Sequence, residues 1–459
     1  MKRMRIFVIV LALGLVAAAC GTSDDTTTTA AQQTTTTAAA EETTTTQPAE
    51  AGMKTGVGVD PDTMTIKLGA LHDLTGPFSP LVIPISDGMQ VYYDTLNANG
   101  GIDGWMIDYI VQDTAYNVEQ HLELYEAMRG EVLAITASTG TPTSVAALGA
   151  AMEDNMTFIP LSWYSGWAIP EFDGGLALEL GTNYCIEAMN LMEFIRDKGG
   201  QTVAIAGFPS DYGLDFAAGV KLAADFYGMD VVFEGAVIPG QDQTEVITGI
   251  VGSGADWTLV AVNAPILAEL MGGAVAAGYQ GMWTGASPSY DFKLLNTAVA
   301  PLIDTLYYQS TLYVPWGNDA PGMVDMMTAM ADAFPDRLPE DSFIIGWNEG
   351  VAMTQVLATA IAAGDLTREG VANAVAAQTG IDFRGTQPDQ SYAGTPNEYV
   401  TRESAIYDPD LATYTAAGGA EQTLSQDGGT TGSLLAQDFF VSEAAEEFIF
   451  DAPCFSLEG

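Results

Sequence analysis

Short β-rich runs alternate with helical patterns between residues 65 and 312, and this alternation limits the possible folds more than any other feature of the sequence. The predicted strands are 65–70, 106–112, 132–137, 157–160, 203–207, 231–237, 259–263, 281–285 and 307–312. Apolar residues at helical spacing predict helices between them, at 86–99, 119–130, 142–155, 188–198, 213–227 and 265–277. Strand, helix and strand in succession predict parallel sheets with helices on both faces.

The number of strands favours two lobes over one. All the predicted strands in a single doubly wound sheet would be crowded, and two sheets of roughly four to six strands suit the length better. Two more helices are predicted at 342–363 and 367–378. After Gly380 the pattern is irregular, apart from a predicted strand at 404–407 and an apolar finish at 448–455.

The N-terminus resembles a bacterial lipoprotein signal. Basic residues precede an apolar segment, 6–19, that ends in three alanines directly before Cys20. At 1.5 Å per residue this segment reaches only ~21 Å, short of the ~30 Å hydrocarbon core, so cleavage is favoured over a retained spanning helix. We expect a signal peptide at 1–19 and lipidation of Cys20.

A threonine-rich tract follows the cysteine. Runs of threonine at 26–29, 34–37 and 43–46 are separated by Ala, Gln and Glu, with no apolar periodicity. We predict that 20–60 is a lipidated, disordered tether that holds the folded part at the membrane. The expected location is the cell envelope, on the outer face of the cytoplasmic membrane or in the periplasm.

The charge excludes two classes of partner. With 14 basic and 59 acidic residues the formal net charge is -45, so nucleic acid and anionic lipid surfaces are not expected to bind. Such acidity is typical of a solvated surface and does not by itself indicate a cationic substrate.

Cysteine and histidine are scarce. Apart from Cys20 only Cys185 and Cys454 are present, and in an oxidising compartment a disulfide and two buried free thiols both remain open. His72 and His121 are the only histidines and no Cys-x-x-Cys pair occurs, so we expect no metal site.

The motifs of common enzymes are absent as well. The sequence contains neither a G-x-x-x-x-G-K-[ST] loop nor a G-x-S-x-G elbow. We therefore expect no catalytic residue, no cofactor and no enzymatic activity. A hydrolase that works through carboxylates alone remains a further alternative.

Six phrases, which follow the order found in the family, resemble type I periplasmic binding proteins of the branched-chain amino-acid ABC transporter group. Together they span about residues 65 to 383, and the ordered series carries the resemblance because each phrase alone is weak. The phrases are Ile66-Lys67-Leu68-Gly69-Ala70, Leu74-Thr75-Gly76-Pro77-Phe78, Asn97-Ala98-Asn99-Gly100-Gly101-Ile102-Asp103-Gly104, Asp211-Tyr212-Gly213, Gly254-Ala255-Asp256 and Gly346-Trp347-Asn348-Glu349-Gly350.

The resemblance implies two similar α/β lobes, joined by three crossings, with a ligand cleft between them. Lobe 1 would hold 65–180 and 313–390, and lobe 2 would hold 181–312 and 391–459. The implied function is a monomeric solute receptor that delivers an amino acid, an amide or urea-like compound or a small carboxylate to an ABC transporter permease by hinge closure. The alternative is a receptor of the same fold that signals through a separate membrane partner.

Ligands of open α/β sheets bind beyond the carboxyl ends of the strands. The loop after the strand at 132–137 carries Ser138, Thr139 and Thr141, whose hydroxyls, with the N–H groups of the helix start, can hold a ligand carboxylate. It matches a family ligand loop, and an ordinary helix cap is the alternative.

The loop after the next strand, Ser162, Trp163 and Tyr164, matches the family's second ligand loop. Amino-acid receptors of the group usually carry small residues and a threonine there, so the two aromatic residues suggest either a different cavity or aromatic stacking on the ligand. Packing between lobes is the alternative for one of them.

Four further residues complete the expected site. Tyr212 matches a family position that often faces the cleft, and Tyr116 can approach from lobe 1. Ser287 and Asp291 follow the strand at 281–285, where the family often places a carboxylate for an ammonium group. Aspartate also caps helices, which leaves the amino-acid assignment open.

Overall fold

The computed structural model of the chain describes residues 52–425 and 428–456. The expected signal peptide, Cys20 and most of the expected tether lie outside the described residues. Within those ranges, no helix combines the length and apolar character needed to cross a membrane.

The described residues form strands β1 to β14 and helices α1 to α15. The strands are Lys54–Thr55, Val59–Asp60, Thr65–His72, Met106–Asp113, Ala134–Thr139, Phe158–Leu161, Thr202–Gly207, Asp230–Ala236, Trp257–Ala261, Met282–Gly285, Tyr307–Thr311, Asp365–Leu366, Ser404–Pro409 and Ser433–Phe440. The helices are Ser79–Ala98, Val118–Met128, Thr141–Asp154, Pro170–Asp173, Tyr184–Asp197, Asp211–Tyr227, Thr244–Ser253, Ala264–Ala276, Ala300–Leu306, Pro321–Ala333, Ser342–Ala362, Arg368–Ala376, Pro396–Tyr399, Leu411–Ala416 and Glu443–Glu447.

The first sheet contains five strands. Strands β4, β3, β5 and β6 lie side by side and parallel, and the short β2 pairs antiparallel with the start of β3. Every residue of β5 is buried, as expected for a strand covered on both faces. Helices α1 and α11 pack together on this sheet, where Gly346 is required because a Cβ there would lie 1.8 Å from the Ile85 carbonyl oxygen.

The second sheet contains seven strands in the order β14, β13, β11, β10, β9, β7, β8. Strands β7 to β11 run parallel, whereas β13 and β14 are antiparallel additions at one edge. Apart from β2, which precedes residue 65, each of these two sheets draws its strands from one of the two predicted lobes. The lobe boundaries at residues 180, 312 and 390 stay predictions.

The predicted parallel sheets also carry antiparallel strands, namely β2 in the first sheet, and β13 and β14, from the irregular region after residue 380, in the second. One expectation needs correction. Residues 54–60 are not a disordered tether: β1 pairs with β12, β2 pairs with β3, and the partly buried Val59 packs against the core of the first sheet.

Cys185 of α5 and Cys454 form a disulfide, with the two Cα atoms 6.3 Å apart. Beside it the Cys454 N–H donates to the Ser165 hydroxyl at 2.8 Å, and the Phe455 N–H donates to Asp215 Oδ1 at 3.2 Å. The C-terminal segment is therefore fixed to the middle of the chain by covalent and hydrogen bonds.

Candidate functional site

A small cavity of about 40 Å³ lies at the carboxyl end of β5. From the first sheet it is lined by Thr139, Thr141, Ser162 and Trp163. The hydroxyls of Thr141 and Ser162 hydrogen-bond to each other, while the buried Thr139 hydroxyl has no partner. Because no side chain caps the first turn of α3, its N–H groups and these hydroxyls form a polar wall suited to an anionic group.

Phe78, on the same cavity, is held by the loop after β3. Asp73 Oδ1 accepts the Gly76 N–H at 2.5 Å, and Asp73 Oδ2 accepts the Phe78 N–H at 2.8 Å. The Phe78 ring packs on the Tyr116 ring, with centroids 4.8 Å apart. The Leu-Thr-Gly-Pro-Phe phrase of the sequence thus forms a fixed turn that presents an aromatic ring to the cavity.

Tyr116 and Gly140 meet at close range. Tyr116 has φ 55° and the preceding Ala115 has φ 49°, a left-handed conformation that is uncommon for non-glycine residues. Gly140 has φ 88°, and a Cβ there would lie 2.4 Å from Cε2 of Tyr116. Burial, followed by the charges of Asp211 and Asp73, raises the pKa of Tyr116, so its phenol remains a hydrogen-bond donor at neutral pH.

Residues beside the second sheet close the cavity. Asp211 and Tyr212 begin α6, and Tyr184 begins α5, with the two tyrosine ring centroids 4.6 Å apart. The Tyr212 hydroxyl bonds to the Val262 carbonyl oxygen and the Ser289 hydroxyl, both at 3.0 Å. Tyr212 therefore offers its ring to the cavity while its hydroxyl is held by the second sheet.

Asp211, which the sequence prediction missed, is the acidic group of this cavity. Its residue is 6% exposed, and burial raises its pKa against the opposing effect of a Thr141 hydrogen bond. Among the described residues, the lining of this cavity contains no Lys or Arg and five aromatic residues: Phe78, Tyr116, Trp163, Tyr184 and Tyr212. A buried carboxylate among ring faces suits a positively charged group. Its position just beyond the predicted strand 203–207 was the available signal.

A larger cavity of about 270 Å³ adjoins the first and shares Phe78, Leu81, Trp163 and Pro288 with it. Its walls are mainly apolar, with further surface from Pro77, Pro80, Pro265, Tyr290, Phe292, Leu294 and Ile345. The Trp163 indole N–H donates to the Leu180 carbonyl oxygen at 2.7 Å, which fixes the ring between the two cavities.

Charged side chains gather in the lining of the larger cavity. Lys293 Nζ lies 2.6 Å from Glu340 Oε1 and 3.5 Å from Asp291 Oδ2. Burial raises the pKa of Glu340 to about 7, opposed by Lys293, and burial raises that of Asp341 to about 6. The short distances to Glu340 and Asp291 show that Lys293 is already ion-paired.

The structure brings together most of the predicted binding residues. Around the smaller cavity lie Thr139, Thr141, Ser162, Trp163, Tyr116 and Tyr212. Ser287 and Asp291 line the larger cavity. Asp291 also accepts the Lys293 N–H at 2.8 Å, as a helix cap does.

Two of the predicted residues, Ser138 and Tyr164, line neither cavity. The Ser138 hydroxyl is buried against Ser144 at 2.7 Å and His121 at 3.2 Å. The Tyr164 hydroxyl donates to the Phe455 carbonyl oxygen at 2.7 Å. His72, the last residue of β3, is buried and hydrogen-bonds to the Tyr109 hydroxyl at 3.0 Å. Across residues 52–425 and 428–456, no group of three or more His, Cys, Asp or Glu is placed to hold a metal ion.

Two α/β sheets with a cavity at their strand ends define a binding protein of the type I periplasmic class. A family model described as periplasmic binding protein matches residues 65–400. The chain belongs to this family, as the sequence resemblance predicts. Among curated proteins, none matches the chain.

Solved structures with the same fold are substrate-binding proteins of ABC transporters. A fatty acid ABC transporter substrate-binding protein from Thermomonospora curvata is 27% identical, with a TM-score of 0.77 over 86% of this chain and 97% of that chain. A branched chain amino acid ABC transporter protein from Thermus thermophilus with bound valine is 18% identical, with a TM-score of 0.70 over 84% of this chain and 98% of that chain. An ABC transporter substrate binding protein from Aeropyrum pernix is 17% identical, with a TM-score of 0.70 over 83% of this chain and 97% of that chain.

These comparisons confirm the predicted fold class and the general function. Proteins of this family bind small ligands outside the cytoplasm and deliver them to ABC transporter permeases, and they are binding proteins rather than enzymes.

Proposed function

We propose that this chain captures an amino acid with an apolar side chain for an ABC importer. The observation that carries the proposal is the buried Asp211 carboxylate, which lines a cavity with the hydroxyls of Thr139, Thr141 and Ser162 but with no basic residue in its described lining. A carboxylate that can bind a cation and neutral donors that can bind an anion thus lie in one small cavity. An α-amino acid carries both complementary groups.

The polar groups of the ligand have separate partners. Its carboxylate accepts hydrogen bonds from the hydroxyls and from the first turn of α3. Its ammonium group donates to Asp211 and contacts the surrounding aromatic rings. Because the hydroxyls belong to the first sheet and Asp211 follows a strand of the second, one ligand contacts both sides and stabilises their approach.

The apolar side chain of the ligand occupies the larger cavity. Phe78, Leu81 and Trp163 line both cavities and form a continuous apolar surface from one to the other. Burial of the side chain there contributes roughly 25 cal/mol per Å² of apolar surface removed from water. Polar amino acids lack this contribution, so the proposal favours leucine- or phenylalanine-like ligands.

A fatty acid is the second candidate. Two observations favour it: the apolar walls of the 270 Å³ cavity, and the 27% identity to a fatty acid ABC transporter substrate-binding protein. The two ligand classes share a carboxylate and an apolar chain. Only the amino acid carries the ammonium group that Asp211 would bind.

Calorimetric titration with leucine, phenylalanine and octanoate separates the two candidates. We expect an apolar amino acid to bind and Asp211→Asn to weaken it at least about tenfold, or about 1.4 kcal/mol. The matched control is Asp225→Asn, an exposed position on the same helix, which should leave affinity unchanged. If octanoate alone binds, and Asp211→Asn does not change its affinity, the result would support a fatty acid as the ligand. If neither class of ligand binds, both candidate functions would be contradicted.

We further propose that Cys20 is lipidated and that 20–51 tethers the receptor to the membrane. The apolar segment that ends in three alanines before Cys20 supports this. Membrane fractionation of cells that express the full chain tests it. The wild type should sediment with membranes and Cys20→Ser should be released, whereas equal release of both would contradict the anchor.

A further inference from the structure

A third cavity, of about 180 Å³, shares no lining residue with the two cavities of the candidate site. One wall comes from the segment after β6, which includes Trp167, Asp173 and Glu179. The other comes from the end of α12 and from the segment that includes Gln390, Tyr392 and Tyr399. It is therefore a separate concave surface on the same protein.

Glu179 is the unexplained group in this cavity. The residue is 8% exposed, and its Oε1 atom is buried with no hydrogen-bond partner. Burial, followed by the charges of Asp215 and Asp173, raises the pKa of Glu179 well above its usual value. A buried carboxylate without a partner is costly, and the described lining of the cavity offers no Lys or Arg to pair with it.

The other polar lining groups already have partners. Asp173 accepts the N–H groups of Gly175 and Ala177, both at 2.8 Å. The Gln390 side chain accepts the Gly181 N–H at 3.1 Å and donates to the Thr401 hydroxyl at 2.6 Å. Among the described lining residues, one carboxyl group, that of Glu179, thus has an oxygen atom without a partner, and no side chain is basic.

Three aromatic residues, Trp167, Tyr392 and Tyr399, also line the cavity. The ring centroids of Tyr392 and Tyr399 are 6.3 Å apart, and the Tyr392 hydroxyl is fixed by donation to the Glu179 carbonyl oxygen. Trp167 lies on the opposite segment of the cavity. Aromatic faces around a carboxylate form the environment that binds organic ammonium ions.

We propose that this cavity is a second binding site, specific for a small organic ammonium ion, with Glu179 as its counter-ion and Trp167, Tyr392 and Tyr399 as its aromatic walls. The site is distinct from the one in which the transported ligand is placed. The inference does not rest on the identity of that ligand.

Choline and its uncharged analogue 3,3-dimethylbutan-1-ol are the probes, titrated to about 10 mM by calorimetry because affinities of small ligands often lie in the millimolar range. The wild type should bind choline and not the analogue. Glu179→Gln, which keeps the shape and removes the charge, should weaken choline binding at least about tenfold. Tyr399→Leu, which removes one ring face, should weaken it about three- to tenfold.

Two controls locate the binding. Glu369→Gln removes an exposed charge from α12 outside the cavity and should leave choline affinity unchanged. Asp211→Asn should also leave it unchanged, since Asp211 lies in the other site. Four results would each overturn the second site. They are no choline binding, equal binding of the uncharged analogue, full choline affinity in Glu179→Gln, and loss of choline binding in Asp211→Asn.

Discussion

The Asp215 carboxylate accepts two hydrogen bonds from Ser165, from its backbone N–H at 3.0 Å and from its hydroxyl at 2.6 Å. Asp215 is on α6, beside the second sheet, whereas Ser165 follows the last strand of the first sheet. Both residues also bind the C-terminal segment through Cys454 and Phe455. Three distant parts of the chain therefore meet at one fully buried carboxylate.

Stability should fall as pH rises from about 6.5 to about 8. Burial raises the pKa of Asp215 to about 7 and that of Glu187 to about 8. The folded state thus holds these protons more tightly than the unfolded state, and the associated stability is lost as pH rises through these values. Burial lowers the pKa of His72 to about 3 and that of His121 to about 4. Below about pH 6.5 these two histidines therefore make stability rise, rather than fall, as pH rises. Calorimetric melting temperatures across this range test the slope, and a rise with pH would contradict it.

Glu187→Gln should stabilise the protein at about pH 8 by about 1 to 3 kcal/mol. Its Oε1 accepts the Ser287 N–H at 2.8 Å and the Ser310 hydroxyl at 2.7 Å, bonds that a glutamine oxygen can keep, while Oε2 is buried without a partner. The gain should shrink toward about pH 5, where Glu187 is already protonated. Urea unfolding at both pH values measures it. An equal effect at both would show that the charge is not responsible.

Gly140→Ala should abolish ligand binding and cost about 1 to 3 kcal/mol of stability. The backbone has φ 88°, and the added Cβ would lie 2.4 Å from the Tyr116 ring, so the ring must move out of the cavity. Titration of the ligand and thermal unfolding measure the two effects.

Gly149→Ala is the matched control for that substitution. Gly149 is an exposed residue of the same helix, with nothing within 4 Å of its added Cβ. This change should keep full affinity and raise stability by about 0.5 to 1 kcal/mol. Unchanged binding in Gly140→Ala would remove Tyr116 from the site.

Loss of the Cys185–Cys454 disulfide should cost about 2 to 4 kcal/mol. The bond joins α5 to a segment 269 residues away in sequence, and without it the terminal segment is held by hydrogen bonds that include those to Ser165 and Asp215. Urea unfolding of the wild type with and without reductant, compared with Cys454→Ser, measures the cost. Two titratable thiols in the native, unreduced protein would contradict the pairing.

The sequence predicts the strands well where burial leaves a local signal. Strands such as β9, buried throughout, are apolar runs between turn residues. Strand β14 has no such signal because most of its residues are exposed or half-buried at the sheet edge, and pairing with β13 fixes it instead. The sequence predicts a strand at 404–407, which is part of β13, but for this reason it could not predict the outer strand β14.

The roles of single residues in the candidate site also could not be predicted from local sequence alone. Trp163 and Tyr164 are adjacent and equally aromatic, yet Trp163 separates the two cavities whereas Tyr164 binds the C-terminal segment. Asp211 belongs to the Asp211-Tyr212-Gly213 phrase, but its importance comes from burial among rings supplied by distant segments. Strand-end position predicts that a loop lies at the cleft, while side-chain direction depends on tertiary packing.

A crystal structure of the protein grown with leucine would show directly whether the proposed contacts form. We expect the leucine carboxylate within hydrogen-bond distance of the Thr139 and Ser162 hydroxyls, the ammonium group on Asp211 and the side chain beside Trp163 in the larger cavity. Leucine bound elsewhere, or a cavity in which no contact reaches Asp211, would contradict it.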